Sequence, residues 1–320
     1  MSKTRQKTVK IFKVQEGIAD ILKEAVIDAD LLGKRRIFVK PNMSHPGFIP
    51  GVVTEPELLG KLVGLLRDKA EEVVVGESNG FNYPCRSAFE NTGLELAVKK
   101  AGGTVINLSE DKVAKLKFPS YYPLKSLFLP KTVLDAEAVV DVALMKTHEF
   151  AVYSGAVKNL FGCVPSNRRI YLHPYLSEVF YWLYTIFKPQ LTIMDARVGI
   201  EGNGPTKGKP VKMDLMLTSN DALALDIIAT KIMCLDWKQT YLSYITAKTD
   251  FHEEEIKVKG LQVNQVKRRF ETPRIDLPVK VQMEIYKHEF LTKLLFCSLD
   301  VVKLFQKFTV AYRGNPIQVG

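Results

Sequence analysis

Cysteine is scarce in this 320-residue chain. Its four cysteines, Cys85, Cys163, Cys234 and Cys297, each stand more than sixty residues from the next. That spacing provides no C-x-x-C clip, no zinc-ribbon pattern and none of the closely set thiolates that hold an iron–sulfur cluster. No intrinsic iron–sulfur cluster is therefore expected, and the cysteines read as buried, reduced thiols. Long apolar runs are missing too. Charges cut every hydrophobic stretch well before the 18 residues of a spanning helix, so no transmembrane segment is expected. The basic start MSKTRQKTVKIFKV carries no apolar core and no small-residue cleavage site; a secretory signal is not read, and the expected compartment is the cytoplasm. Repeats, low-complexity tracts and Gly/Ser linkers are also wanting.

The composition that remains, 46% hydrophobic and 25% charged, is that of a globular chain long enough to bury a large core. Forty-five Lys and Arg against 35 Asp and Glu give a net charge of +10, which favours anionic partners without choosing among them.

Short β-branched runs alternate with helical patterns through the first two thirds. Lys7 to Val14, Arg35 to Lys40, Glu72 to Gly76, Thr104 to Leu108, Ala138 to Met145, Gln190 to Met194 and Val211 to Thr218 read as strands. Gly17 to Asp28, Glu55 to Asp68, Cys85 to Ala101, Leu172 to Phe187 and Ala222 to Met233 read as helices, with Thr54 and Glu57 as a capping box. The alternation predicts an α/β fold: a doubly wound, mostly parallel sheet with helices on both faces. The α/β domain is expected over residues 1–260. Residues 261–320 then form a helical extension packed on it, whose amphipathic pattern from Val281 to Ala311 also admits a membrane-surface role.

Polar clusters stand where the strand readings stop, which is where open parallel sheets place their sites. Lys40-Pro41-Asn42 follows the second strand; after a loop from Met43 to Val53 come Thr54 and Pro56. Gly76 to Gly80, GESNG, follows the third and offers Glu77 and Ser78. Lys146-Thr147-His148 ends an apolar strand. Lys158, Asn159, Pro165, Arg168, Arg169 and His173 follow within 28 residues. Cations at strand ends suit the grip of a carboxylate or phosphate, and histidine adds a proton carrier near neutral pH. The stretch DARVGIEGNGPTKGKP, Asp195 to Pro210, fails both nucleotide-loop patterns. Gly202, Gly204 and Gly208 are spaced one residue too widely, and Pro205 stands where a Walker loop needs lysine. Its glycines read as letting backbone approach a ligand, with Asp195, Glu201 and Asn203 beside them. Asp221 reads as a helix N-cap.

The ordered series KPN, T-x-P, GES, KTH, KNLFG with a following histidine, EGNGP and D-x-x-A-x-D (Asp221 to Asp226) resembles the domain of unknown function 362 family over roughly Val9 to Met233. Many members carry fused ferredoxin-like modules and a redox label. This chain lacks the cysteine runs of such a module, so the resemblance implies redox chemistry only through a separate electron-transfer partner protein. The order KTH, KN-x-x-G, Pro, His is also similar to that of the nickel-pincer lactate racemase group, in which lysine and histidines serve a hydroxy-acid site.

The expected function is an enzyme acting on a small anionic carboxylate or phosphate metabolite. Lys40, Asn42, Thr54, Ser78, Lys146, Thr147, Lys158, Asn159, Asn203 and Gly204 are the candidate ligand-binding residues. His148, His173, Glu77 and Glu201 are candidate acids or bases, and Asp195 with Glu201 candidate ligands of a divalent metal. The rival expectation is a non-catalytic RNA- or membrane-surface-binding protein using its basic charge, including Lys267 to Arg269. RNA is the less favoured partner, because the aromatic β platforms of RNA-binding folds are missing.

Overall fold

The computed structural model describes residues 6–80, 83–165 and 169–296, with 301, 304 and 307 beyond them. Its main sheet is built from β1 (Thr8–Lys13), β2 (Lys34–Lys40), β3 (Ala70–Glu77), β4 (Thr104–Asn107), β7 (Ala138–His148), β8 (Val152–Ser154), β9 (Leu191–Glu201), β10 (Lys209–Ser219) and β11 (Lys257–Gly260). The order is β11-β1-β10-β9-β7-β2-β3-β4, with β8 paired to the end of β7. From β9 to β4 all neighbours are parallel, while β10 runs against both β9 and β1. The fold is α/β with a mostly parallel sheet. A separate two-stranded antiparallel sheet pairs β5 (Val113–Lys117) with β6 (Ser126–Pro130), neither of which was among the strand readings.

Strands buried on both faces read as continuous apolar runs. In β7 every residue but His148 is buried. Successive side chains point to opposite faces. Ile37 and Val39 therefore join the core under α1 (Ile18–Asp28) and α2 (Pro56–Arg67), whereas Phe38 packs on the other face with Val179 and Leu183. On the first face α3 (Cys85–Asn91) and α4 (Leu94–Lys100) join α1 and α2, while the short α5 (Lys131–Leu134) and α6 (Ala156–Asn159), then α7 (Leu176–Phe187), α8 (Ala222–Ile232) and α9 (Leu242–Lys248), pack in the other two core clusters.

Two local expectations need correction. The single helix over Cys85 to Ala101 is two, because Gly93 turns into the left-handed region at φ 75° between them. The Thr54–Glu57 capping box does not form. Glu55 is the N-cap, Pro56 opens α2, and the Thr54 hydroxyl instead accepts the Asn42 N–H at 2.7 Å. The C-terminal pattern, which reads as one helix or a pair, is a pair where it is described: after α10 (Val263–Val266) come α11 (Leu277–Tyr286) and α12 (Glu289–Phe296), and most of residues 297–311 lie outside the described ones, as do Arg168 and Cys297. No described helix is long and apolar enough to cross a membrane.

Chain direction across the sheet decides where a site sits. From β2 the chain steps outward to β3 and β4, then returns to lay β7 and β9 on the other flank of β2. The reversal falls between β2 and β7. In open α/β sheets ligands bind in the crevice outside the carboxyl ends at such a point. Lys40 ends β2, and Lys146 to His148 end β7.

Candidate functional site

Two lysines form the base of that crevice, each satisfied in a different way. Lys40, wholly buried, donates from Nζ to Glu77 Oε2 at 2.5 Å and to the Pro41 carbonyl at 2.6 Å. Glu77 Oε1 accepts the Ser78 N–H at 2.9 Å. Gly162 of KNLFG lies directly against this ion pair. A Cβ there would stand 2.4 Å from Glu77 Oε1 and 2.7 Å from Lys40 Nζ, so only glycine lets the backbone approach. The Gly162 carbonyl accepts the Ser78 N–H at 3.1 Å.

Lys146 has only neutral partners: Asn42 Oδ1 at 2.8 Å, the Val52 carbonyl at 2.7 Å and Ser44 Oγ at 3.1 Å. Burial, then the charges of Lys158 and Lys40, holds its ammonium well below the ordinary lysine range. It fastens the 42–53 loop over the sheet. Asn42 donates to Asn159 Oδ1 at 3.0 Å, and Asn159 donates to Asp141 Oδ1 at 2.7 Å. Asp141 is fully buried with Oδ2 unpartnered, and burial raises its carboxyl well above the usual range.

The turn that carries Lys158 and Asn159 hangs on Asp226. Its carboxylate accepts the Ala156 N–H at 2.7 Å, the Val157 N–H at 2.9 Å and the Tyr153 hydroxyl at 2.8 Å. Burial pushes this carboxyl up to about 7. Asp226→Asn would present an amide donor to N–H groups that need an acceptor. The expected cost is about 1–3 kcal/mol in urea unfolding, with ligand affinity falling as Lys158 loses its mounting. An unchanged midpoint would argue against this role.

Above these residues lies a cavity of about 440 Å³. Its polar lining includes Ser78, Lys158, Arg169 and His173, and its apolar walls are largely aromatic: Tyr83, Phe150, Phe161 and Tyr286. Among the described residues nothing hydrogen-bonds to or pairs with the Lys158 ammonium, which burial and the charge of Arg169 lower to about 8. Arg169 reaches the Asn79 carbonyl, and burial lowers its guanidinium. His173 Nδ1 lies 3.0 Å from the Ile170 carbonyl. A carbonyl only accepts, so Nδ1 carries the proton and Nε2 keeps its lone pair. Burial lowers this imidazole to about 4. The Ser78 hydroxyl is buried at the cavity wall without a hydrogen-bond partner among the described residues.

The family model described as Domain of unknown function (DUF362) matches residues 37–231, which include every residue of this base and most of the cavity. The chain belongs to the DUF362 family. A thylakoid-associated protein, sll1697, of Synechocystis sp. (strain ATCC 27184 / PCC 6803 / Kazusa) is 29% identical over 210 residues. The match covers 63% of this chain and 64% of that protein, so the chain spans a little under two thirds of its relative. Among solved structures, the lactate racemase apoprotein from Thermoanaerobacterium thermosaccharolyticum superposes with a TM-score of 0.42 at 18% identity, covering 65% of this chain and 53% of that one.

The DUF362 motifs divide between the cavity and its support. Asn42, Glu77, Ser78, Lys158, Asn159 and His173 line the cavity. Lys40, Thr54 and Lys146 lie beneath it, buried and bonded as described. Thr147 clips the end of β7 to the turn after β9, donating to the Gly202 carbonyl at 2.7 Å, and Gly204 packs against the Thr147 carbonyl. His148 does not line the cavity. Its Nδ1 accepts N–H groups from Phe150 at 3.1 Å and Ala151 at 3.4 Å, closing the turn into β8, and burial holds it well below the ordinary histidine range.

Of the expected acids, Glu77 lines the cavity, whereas Asp195 and Glu201 do not. Glu201 and Asn203 use their side-chain oxygens on the Glu271 and Arg274 N–H groups, at 2.9 and 2.8 Å, and so anchor the segment leading to α11. Asp195 is clamped by Arg197 through bonds of 2.9 and 2.6 Å, and Arg197 continues to Glu55. Asp195 and Glu201 are thus corrected as a metal pair: both Asp195 oxygens are held by Arg197, and Glu201 Oε2 is held by the Glu271 N–H. No three His, Cys, Asp or Glu side chains group as a metal site among the described residues. Sequence reasoning did not assign Arg169, Tyr83, Phe150, Phe161 or Tyr286. Arg169 was visible within the KTH-to-His173 cluster, but nothing in the pattern tied Tyr286 of α11 to a site more than a hundred residues earlier.

Proposed function

We propose that this chain is an enzyme that binds a small carboxylate- or phosphate-bearing molecule in the cavity and moves a proton on it. The observation that carries the reading is the Lys158 ammonium, which has no partner among the described residues at the wall beside Arg169 and His173. Two cations in a confined, partly apolar site attract an anion more strongly than they would in water. His173 supports the chemical step. It is neutral at pH 7, its Nδ1–H is fixed on Ile170, and Nε2 is the basic atom it presents. Lys158 and Arg169 then hold the charge that develops on the bound molecule as His173 takes its proton.

The test follows solvent exchange at the carbon next to the carboxylate, by NMR in D₂O, for a panel of carboxylates with an activated C–H. The wild-type protein is expected to bind and exchange at least one of them. His173→Asn should keep binding and slow exchange by about 10²-fold or more. Exchange at the wild-type rate in His173→Asn would remove His173 from the chemistry. Failure of every carboxylate and phosphate to bind would remove the reading altogether.

A further inference from the structure

We infer that the anion taken by this cavity carries its charge on a flat, unsaturated body, as an aryl carboxylate or aryl phosphate does; this rests on the anion-binding reading and narrows its substrate class. The cavity has two unlike halves. One presents Lys158, Arg169 and the hydroxyl of Ser78, which is only 2% exposed and has no hydrogen-bond partner among the described residues. A buried hydroxyl without an acceptor is costly, and an oxygen of a carboxylate or phosphate supplies one. This half matches a charged head.

The other half is a run of rings in contact. Phe150 meets Tyr286 edge-on, with centroids 6.1 Å apart and planes at 65°. Tyr286 stacks on His173 at 4.1 Å and 26°, and His173 meets Phe161 at 6.2 Å and 84°. These rings come from three separate stretches of chain, the β7–β8 turn, the segment before α7, and α11. Ring faces and edges of opposite partial charge favour another π-system over a saturated body of equal area. A volume of about 440 Å³ lies within the range of pockets that enclose a ring with its substituents, and acetate or inorganic phosphate alone would leave most of it empty. A head held at Lys158 and Arg169 would set its ring against this wall.

Calorimetric titration of the full chain with benzoate, cyclohexanecarboxylate, acetate and phenyl phosphate tests this. Benzoate is expected to bind about three- to tenfold more tightly than cyclohexanecarboxylate, which is as large and at least as apolar but not flat. Phe150→Leu should erase that preference and leave acetate affinity unchanged. Tyr286→Leu gives the same readout should the first variant fail to fold. Phenyl phosphate binding more tightly than benzoate would keep the flat body and assign the head to phosphate. Cyclohexanecarboxylate binding as tightly as benzoate overturns the inference while leaving the anion site standing. Absence of binding by all four defeats the anion-binding reading itself.

Discussion

Lys40→Met should destabilise the protein by roughly 3–5 kcal/mol, the cost of leaving one partner of a buried ion pair alone. Lys40 is wholly buried and Glu77 is 6% exposed, with 2.5 Å between Nζ and Oε2. Methionine fills most of the lysine's volume, so the loss comes from the stranded carboxylate and not from a cavity. Only the Ser78 N–H would remain to hold Glu77. The double replacement Lys40→Met with Glu77→Leu removes both charges and is expected to regain most of the stability, because buried pairs exchanged for apolar side chains are often close to neutral. Urea unfolding of the wild type, the two single variants and the double variant completes the cycle. A loss below about 1 kcal/mol for Lys40→Met would show that water reaches the pair and screens it. Such a result would also weaken the case for a dry cavity, since Glu77 forms part of its lining.

The positions of Lys40 and Glu77 were legible because strand periodicity is a local signal. A β-branched run that stops at a lysine or glutamate places that residue at a strand end, and parallel pairing gathers the ends. The same logic located Lys158 and His173 by their nearness to KTH. It did not say which polar groups would be satisfied internally. Lys146 and Lys40 look alike in sequence, yet one is given to a loop through Asn42, Ser44 and Val52 and the other to Glu77. Likewise Glu201 and Asn203 sit in a glycine-rich stretch that suggested a ligand, and their acceptors hold a backbone 70 residues later. Such contacts depend on how far β9 runs past the sheet, and β9 continues through Asp195 to Glu201 where the sequence pattern stopped it at Met194. Aromatic walls escape a linear reading for a similar reason. Each ring looks like ordinary core residue material until the fold sets Phe150, His173 and Tyr286 side by side.

Lys158→Met is expected to weaken anion binding by about ten- to a hundredfold, the worth of one charge-assisted hydrogen bond in a confined site, while leaving the fold intact. Lys158 has no partner to strand among the described residues, so its removal resembles that of Lys40 only in charge. The pH dependence separates it from Arg169. Burial and the neighbouring guanidinium bring the ammonium from an ordinary 10.5 to about 8. Below pH 8 it is charged in the free protein and anion affinity is at its full value. As pH rises through 8 the amine loses its proton, and affinity should fall by up to tenfold per unit until the raised value of the occupied site is reached. Stability moves in the opposite sense. Between about pH 8 and 10.5 the unfolded chain binds the proton that the folded chain has released, so the contribution of Lys158 to unfolding free energy increases with pH across that window. Lys146 is lowered as well, so the comparison that isolates Lys158 is wild type against Lys158→Met at each pH. Titration of benzoate between pH 6.5 and 9.5 should show a decline through about 8 in the wild type and a flat profile in the variant. A decline that persists unchanged in Lys158→Met would assign the titrating group to another residue and take Lys158 out of the anion site.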